Sequence, residues 1–146
     1  MSITAGIDFS LSESIRADEL MVIFDRDSWD FSYEGLALFL SPACYEDMDW
    51  VVVEPASADR LMEKISEIQG SEGGFGFSAV HNGSGVGGQF LVEPGGKKIT
   101  WNITVNRPYI SESERLVDYT LCLRAAWEAI GKLREKIVCI QFMQSL

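Results

Sequence analysis

The sequence predicts an α+β fold, a mainly antiparallel sheet with one long C-terminal amphipathic helix and one shorter helix packed on it. Apolar and polar residues alternate over residues 99–106, the pattern of a strand with one buried face. A Pro-Gly-Gly turn joins this strand to the apolar run before it, and apolar residues recur at steps of three and four after Ser111. With 146 residues, 47% of them hydrophobic, the chain is predicted to form one domain spanning residues 1–146.

Seven segments are predicted to be strands. Short apolar runs bounded by turn residues indicate buried strands, and alternating runs indicate half-buried ones. These segments are residues 3–9, 20–25, 50–54, 75–81, 89–93, 99–106 and 137–142. The stretch 33–40 fits either a short helix or a strand, and the glycine-rich stretch 82–88 fits a hairpin loop.

Two helices are predicted between these strands. Ser57 is placed to cap a helix over residues 58–69. Ser111 and Glu114 have the spacing of a capping box, which predicts the longer helix over residues 112–136. Its apolar stripe consists of Leu116, Tyr119, Leu123, Trp127, Ile130 and Leu133. We expect this helix to lie across one face of the sheet.

The chain is strongly acidic, and the acid is concentrated in its first half. The net charge is −10, and residues 1–72 hold sixteen acidic residues against four basic ones. The remaining 74 residues hold six acidic and eight basic ones. Such a distribution predicts a negative face and disfavours nucleic acid as a direct ligand, because binding phosphates requires positive charge.

Cysteine usage and the N-terminus predict a cytoplasmic protein. Cys44, Cys122 and Cys139 are an odd number, without the spacing of a zinc site or a disulfide framework. Reduced thiols are typical of a reducing compartment. The first twenty residues lack the basic and apolar regions of a signal peptide, and no apolar run is long enough to cross a membrane.

Motifs that would indicate catalysis, a cofactor or a metal fail on their context. Gly83, Gly85 and Gly88 match G-x-G-x-x-G, but a strand follows where a dinucleotide site needs a helix. The stretch beginning at Asp25 lacks the glycine and the final glutamate of a calcium loop. His81 is the only histidine and has no recognised nucleophile motif near it. We therefore predict no catalytic, cofactor-binding or metal-binding residues.

Two acidic stretches that contain aromatic residues are the candidate partner-binding site. Aromatic residues are favoured at interface centres, and carboxylates speed association with a basic partner. The candidate residues are Asp25, Asp27, Trp29 and Asp30 in the first stretch, and Tyr45, Glu46, Asp47 and Asp49 in the second. The alternative interpretation of the first stretch is a solvated turn after a buried strand. For the second stretch it is that Tyr45 and Trp50 belong to the core and the acidic residues only solvate a loop.

Size, charge and the strand pair GVGGQFLVEPGGKKITWNITV before a long helix resemble the immunity proteins of bacterial polymorphic toxin systems, including those of contact-dependent growth inhibition. The resemblance implies a small cytoplasmic protein that neutralises a basic toxin domain, often a nuclease, in a 1:1 complex. It implies neither a nucleic-acid nor a membrane partner. It covers the whole chain only as a class, so it assigns no role to any single residue.

Two other functions stay open from the sequence. A non-enzymatic interaction module, such as a chaperone, adaptor or homo-oligomeric scaffold, would use the uncharged polar face of residues 100–106 to extend a partner's sheet. An enzyme would need a concave pocket that gathers His81 or several carboxylates with shifted pKa values.

Overall fold

A computed structural model describes residues 3–68 and 72–145. The predicted α+β class is confirmed, with a mainly antiparallel sheet and helices that alternate with its strands. The elements are β1 (Thr4–Leu11), α1 (Ala17–Ile23), β2 (Trp29–Asp30), β3 (Leu38–Leu40), β4 (Val51–Val52), α2 (Ala58–Glu67), β5 (Phe75–His81), β6 (Gly87–Val92), β7 (Lys98–Val105), β8 (Tyr109–Ser111), β9 (Leu116–Val117), α3 (Tyr119–Ile130) and β10 (Ile137–Ser145). Short 3₁₀ turns lie at Tyr33–Gly35, Pro42–Cys44 and Gly131–Leu133.

The main sheet has the strand order β10-β1-β7-β6-β5-β3-β4, and β2 pairs with the end of β5. Every neighbouring pair is antiparallel. β8 and β9 form a separate hairpin. The two edges of the main sheet are therefore the nine-residue β10 on one side and the two-residue β4 on the other.

One face of the sheet carries the core. The register aligns Ile7, Trp101, Phe90, Phe77 and Phe39 across five strands, and each is buried. The three helices contribute buried residues to the same apolar cluster, so they all cover this inner face. The Trp101 indole N–H is buried without a hydrogen-bond partner among the described residues, which costs about 1–3 kcal/mol that the ring's packing must offset.

The opposite, outer face of the sheet is polar in its centre. Asp8 on β1 accepts a hydrogen bond from the Thr100 hydroxyl at 2.7 Å and forms an ion pair with Lys98 at 3.2 Å. The hydrogen bond to Asp8 is the main reason why the pKa of Lys98 is raised. β7 is bonded on both sides, by β1 and β6, so its polar residues cannot add to a partner's sheet as the sequence suggested.

Most predicted strands are present. The segments predicted at 3–9, 75–81, 89–93, 99–106 and 137–142 correspond to β1, β5, β6, β7 and β10. The Ser57 side chain caps α2 by accepting a hydrogen bond from the Arg60 amide at 3.1 Å, as predicted. Gln69, the predicted last residue of that helix, lies outside the described residues.

The segment predicted as a buried strand at 20–25 is wrong, because it is part of α1. A short apolar run has the same composition in a buried strand and in a buried helix. Here Ala17, Leu20 and Met21 recur at helical spacing and face the core, while Val22 is 80% exposed. The aromatic inner face of the sheet must be shielded from water, and α1 covers part of it.

The predicted start of the long helix is also wrong. Residues 112–117 form the β8–β9 turn and β9, and α3 starts only at Tyr119, after its N-cap Asp118. The helix also ends at Ile130, six residues before the predicted residue 136, so it is shorter than predicted at both ends. The Ser111 hydroxyl accepts a hydrogen bond from the Glu114 amide at 3.4 Å, but this contact closes a turn. Asp118 is the true cap, since its carboxylate accepts from the Leu121 amide at 3.2 Å. A capping box specifies a local turn that a hairpin can also use.

Two further segments are resolved by the structure. The ambiguous stretch 33–40 contains both alternatives, a 3₁₀ turn followed by β3. The predicted buried strand at 50–54 is reduced to β4, an edge strand whose Val51 and Val52 are exposed while Val53 alone is buried.

A substitution at Gly88 can test how closely the backbones of β6 and β7 approach each other. A Cβ atom on Gly88 would lie 1.8 Å from the backbone oxygen of Asn102, at a register shift between the two strands. Gly88→Ala should therefore lower the free energy of unfolding by about 3 kcal/mol or more, measured by urea denaturation. Gly95→Ala is the control, since it meets only the strain of a φ of +93° and should cost about 1–2 kcal/mol. Equal losses would contradict the close approach.

Candidate partner-binding site

Nearly all the net charge of the protein comes from one part of the fold. Residues 25–72 hold twelve acidic and three basic residues, a net charge of −9, while the rest of the chain has a net charge of −1. The strands of this segment, β2, β3 and β4, lie beyond β5 on the β4 side of the sheet, α2 contacts β3, and the connection that contains Tyr45 and Trp50 packs against Gly74 and Gly76 at β5. We call this part the acidic side.

The earlier acidic residues do not belong to the acidic side. Asp8 is buried on β1 against Lys98, and Glu13 and Glu19 lie 3.8 and 3.4 Å from the Lys136 amine. Their charges are thus balanced locally. The negative surface therefore involves fewer residues than the acidic first half of the sequence predicts. The reason is that β1 and α1 pack beside basic residues of the second half.

The first candidate stretch is a turn after α1. The Asp25 carboxylate accepts a hydrogen bond from the Asp27 amide at 3.0 Å, and the Asn82 side chain donates to the Asp27 carbonyl at 3.0 Å. These bonds leave the carboxylates of Asp25 and Asp27 exposed. The Asp30 carboxylate is half-buried and accepts from the Ser32 amide at 2.8 Å. Asp25 and Asp27 can therefore contact a partner, whereas Asp30 mainly shapes its own loop.

Trp29 holds this turn in place and is not on the surface. It is 2% exposed, and its ring lies 5.2 Å from Phe24 and 5.1 Å from His81. The expectation that Trp29 contacts a partner is corrected accordingly, since a ring packed among other rings of the core is closed to one.

The second candidate stretch follows the 3₁₀ turn Pro42–Cys44. Tyr45 is half-buried with its ring against Gly74, and burial raises the pKa of its phenol, with a smaller contribution from Glu93. Glu46, Asp47 and Asp49 are exposed, and among residues 3–68 and 72–145 no cation forms an ion pair with them. This is the most concentrated group of uncompensated carboxylates on the acidic side.

The two stretches lie at opposite ends of β5. The first is bonded to Asn82, just after the strand, and the second packs on Gly74, just before it. Eight residues of extended chain separate them by roughly 26 Å. They therefore do not form one compact cluster but flank the strands β3 and β4.

α2 also carries exposed acidic residues of segment 25–72. Asp59 and Glu63 project from α2, where Arg26 and Arg60 pair with them at 2.6 and 2.7 Å. Exposed pairs of this kind contribute little to stability, so a partner's cations could replace Arg26 and Arg60 at small cost. Sequence reasoning missed Asp59, because only its ion pair with Arg26, 33 residues away, places it beside the first candidate stretch.

A second polar constellation involves His81, which is buried. Its Nδ1 accepts from the Ser84 amide at 3.1 Å and lies 2.9 Å from the Ser84 hydroxyl, and its Nε2 lies 2.6 Å from the Glu128 carboxylate. The amide fixes Nδ1 as the unprotonated nitrogen, so Nε2 donates to Glu128. Serine, histidine and a carboxylate also form hydrolase triads.

The contacts of Ser84 indicate that this constellation connects two parts of the fold, and we call the linked side chains of Ser84, His81 and Glu128 the His81 tie. Its hydroxyl oxygen also accepts from the Val86 amide at 3.2 Å, which closes the glycine-rich loop. The His81 ring is 6% exposed and packs against Trp29. The group thus fastens the loop at 82–88 to α3. No local pattern predicts this contact, because Glu128 is 47 residues away from His81.

The described residues contain no cluster of three or more metal-binding side chains, and none of their helices is long and apolar enough to cross a membrane. Cys122 is buried, and burial raises the pKa of its thiol to about 12, so it is not a reactive thiolate at neutral pH.

Comparisons with protein-family models, with curated proteins and with solved structures give no match. The functional interpretation therefore rests on the geometry and charge described above.

The His81 tie can be tested through stability. His81→Ala removes a buried ring and leaves Glu128 and Ser84 without their partner, so the free energy of unfolding should fall by about 2–4 kcal/mol. Glu128→Gln keeps an acceptor at the same place and should cost less than about 1 kcal/mol. Urea denaturation measures both, with the exposed Glu135→Gln as the control. If His81→Ala left the free energy of unfolding unchanged, the His81 tie would contribute nothing to the stability of the fold.

Proposed function

We propose that this protein is an immunity protein that binds a basic toxin domain, of which a nuclease is the leading candidate, through its acidic side. The observation that supports this most is that segment 25–72 carries −9 of the net −10 charge on the β4 side of the sheet. A nuclease must be cationic where it holds phosphates. An inhibitor can bind the same cations with carboxylates.

The dimensions of the acidic side suit one protein partner. A typical interface covers about 800 Å² on each protein, which corresponds to a disc about 32 Å across. The two candidate stretches are separated by roughly 26 Å, so one partner can contact both. Segment 25–72 also exposes Val51 and Val52 of β4, and Asp59 and Glu63 of α2. Interfaces usually combine such apolar residues with a polar rim.

Charge concentration also explains why inhibition would be rapid. Electrostatic steering raises association rates above the ordinary range of about 10⁵–10⁶ M⁻¹s⁻¹ by orders of magnitude at low salt. An immunity protein must capture its toxin before damage accumulates, which makes the rate of association as important as affinity. The exposed carboxylates of Glu46, Asp47 and Asp49 form no ion pair within the part of the chain that the structure describes, so their field is available to a partner.

Charge reversal tests the proposal directly. The partner to use is the C-terminal domain of the protein encoded immediately upstream of this chain's gene, purified with its own activity blocked. The wild type should form a 1:1 complex whose association rate falls with added salt. Glu46→Lys, Asp47→Lys and Asp49→Lys together should lower that rate about tenfold or more, as measured by surface plasmon resonance.

A matched variant separates the acidic side from net charge alone. Glu112→Lys, Glu114→Lys and Glu135→Lys change the net charge equally at exposed positions of the other side of the molecule. This control should bind with less than about a threefold change in rate. If it weakens binding as much as the first variant, or if neither has an effect, the acidic side is not the binding surface.

A further inference from the structure

The edge strand β10 lacks the features that normally protect a sheet edge. Its nine residues, IVCIQFMQS, include no charged residue and no proline. Val138, Phe142 and Met143 are 66%, 45% and 39% exposed. Exposed edges are usually blunted by charge, proline, bulges or a short strand, because their free backbone groups can pair with another chain. The register shift near Val138 affects only the first residues of β10.

An apolar groove follows the same edge on the inner face. It lies between α3 and β10, with a volume of about 670 Å³. Tyr119, Leu123 and Trp127 line it from the helix, and Ile140 and Phe142 line it from the strand. The helix side also carries Thr120 and the oppositely charged Arg124 and Glu128. The rings of Tyr119 and Phe142 are 5.2 Å apart. Strand edge and groove together form one continuous surface that is suited to both backbone pairing and apolar burial.

The charge distribution favours a second copy of this chain as the occupant. β10 is uncharged, and the acidic side lies at the opposite edge, six strand spacings or roughly 29 Å away. Two copies joined along β10 would keep their acidic sides roughly 60 Å apart, far beyond the Debye length of about 8 Å in physiological salt. Joining through any part of the acidic side would instead bring the two net charges of −9 together.

Symmetry selects one arrangement of the two strands. In an antiparallel pair, directly opposite residues share a face. A twofold axis through Gln141, the middle residue of β10, pairs all nine residues and sets Ile140 of one copy opposite Phe142 of the other. Both residues lie on the inner face, as their β1 partners Phe9 and Ile7 do. The two apolar grooves then meet across the axis, which is the self-complementary contact that a twofold dimer requires.

We propose that the protein forms a twofold homodimer through antiparallel pairing of β10 with β10, which joins the two sheets into one and leaves an acidic side at each far end. The contact involves mainly a single strand and part of one helix, so its area falls at the low end of specific interfaces and micromolar dissociation is expected. The dimer would present two separate partner-binding surfaces, but its existence does not depend on what those surfaces bind.

Sedimentation equilibrium of the full chain, from low micromolar to hundreds of micromolar, is the first measurement. The wild type should pass from monomer to dimer over this range. Val138→Glu and Phe142→Glu each place a charge in the contact, and each should raise the dissociation constant at least tenfold. Thermal unfolding followed by circular dichroism must show that both variants remain folded, and Val138→Glu, at the more exposed position, keeps the test valid if Phe142→Glu does not fold.

Val52→Glu is the matched control. It makes the same substitution in an exposed valine on the opposite edge of the sheet, where Val52 is 53% exposed. Its dimerisation should match the wild type. A wild type that stays monomeric at the highest concentration overturns the proposal, as does a dimer that Val52→Glu disrupts and Val138→Glu does not.

The register can be tested by cross-linking. In a Cys139→Ser background, Gln141→Cys puts the two thiols directly opposite each other, close enough for a disulfide. Mild oxidation should convert this variant to a covalent dimer on a non-reducing gel. Thr104→Cys, exposed on β7 of the same sheet, should stay monomeric under the same treatment. A failure of Gln141→Cys to cross-link, or equal cross-linking by Thr104→Cys, would overturn the twofold pairing centred on Gln141.

Discussion

The stacking of Phe77, Phe90 and Trp101 across β5, β6 and β7 is the interaction on which the rest of the structure depends. Successive ring centroids are 5.5 and 5.2 Å apart, and the second pair is nearly parallel. Phe24 and Trp29 meet Phe90 edge-on from above the sheet. Because side chains alternate between faces, a slip of one residue in any of these strands would turn a large ring to the outer face. The stack therefore fixes the register of the three central strands.

The same stack makes the two faces of the sheet unequal, and the positions of the helices follow from that. Each α-helix of the described residues adds side chains to the apolar cluster on the aromatic face. One edge, β4, has only two residues and belongs to the acidic segment 25–72, which makes it suitable for a charged partner. The other edge, β10, is long, uncharged and flanked by an apolar groove, which makes it suitable for pairing with its own copy.

Local patterns predicted those elements whose sequence fits only one structure. The alternation over β7 has no helical interpretation, and Ser57 stands directly before the apolar stripe of α2, where its hydroxyl oxygen accepts from the Arg60 amide. The apolar run of α1 and the Ser111 capping box fit two structures each, and there the prediction was wrong. In both cases the choice was made by contacts with residues distant in sequence, the aromatic sheet face for α1 and the packing of β8 with β9 for Ser111.

The fold class, five strands of the main sheet and the excess of acid could be read from side-chain periodicity and composition. Which acidic residues act together depends on the packing: Asp8 pairs with Lys98 on the outer face, whereas Glu46 and Asp47 form no ion pair with any residue that the structure describes. The packing also decided that Trp29 is buried and that His81 reaches Glu128. The physical reason is that charge and burial depend on neighbours in space, and antiparallel pairing brings together residues up to 141 positions apart, as at the Thr4–Ser145 pair.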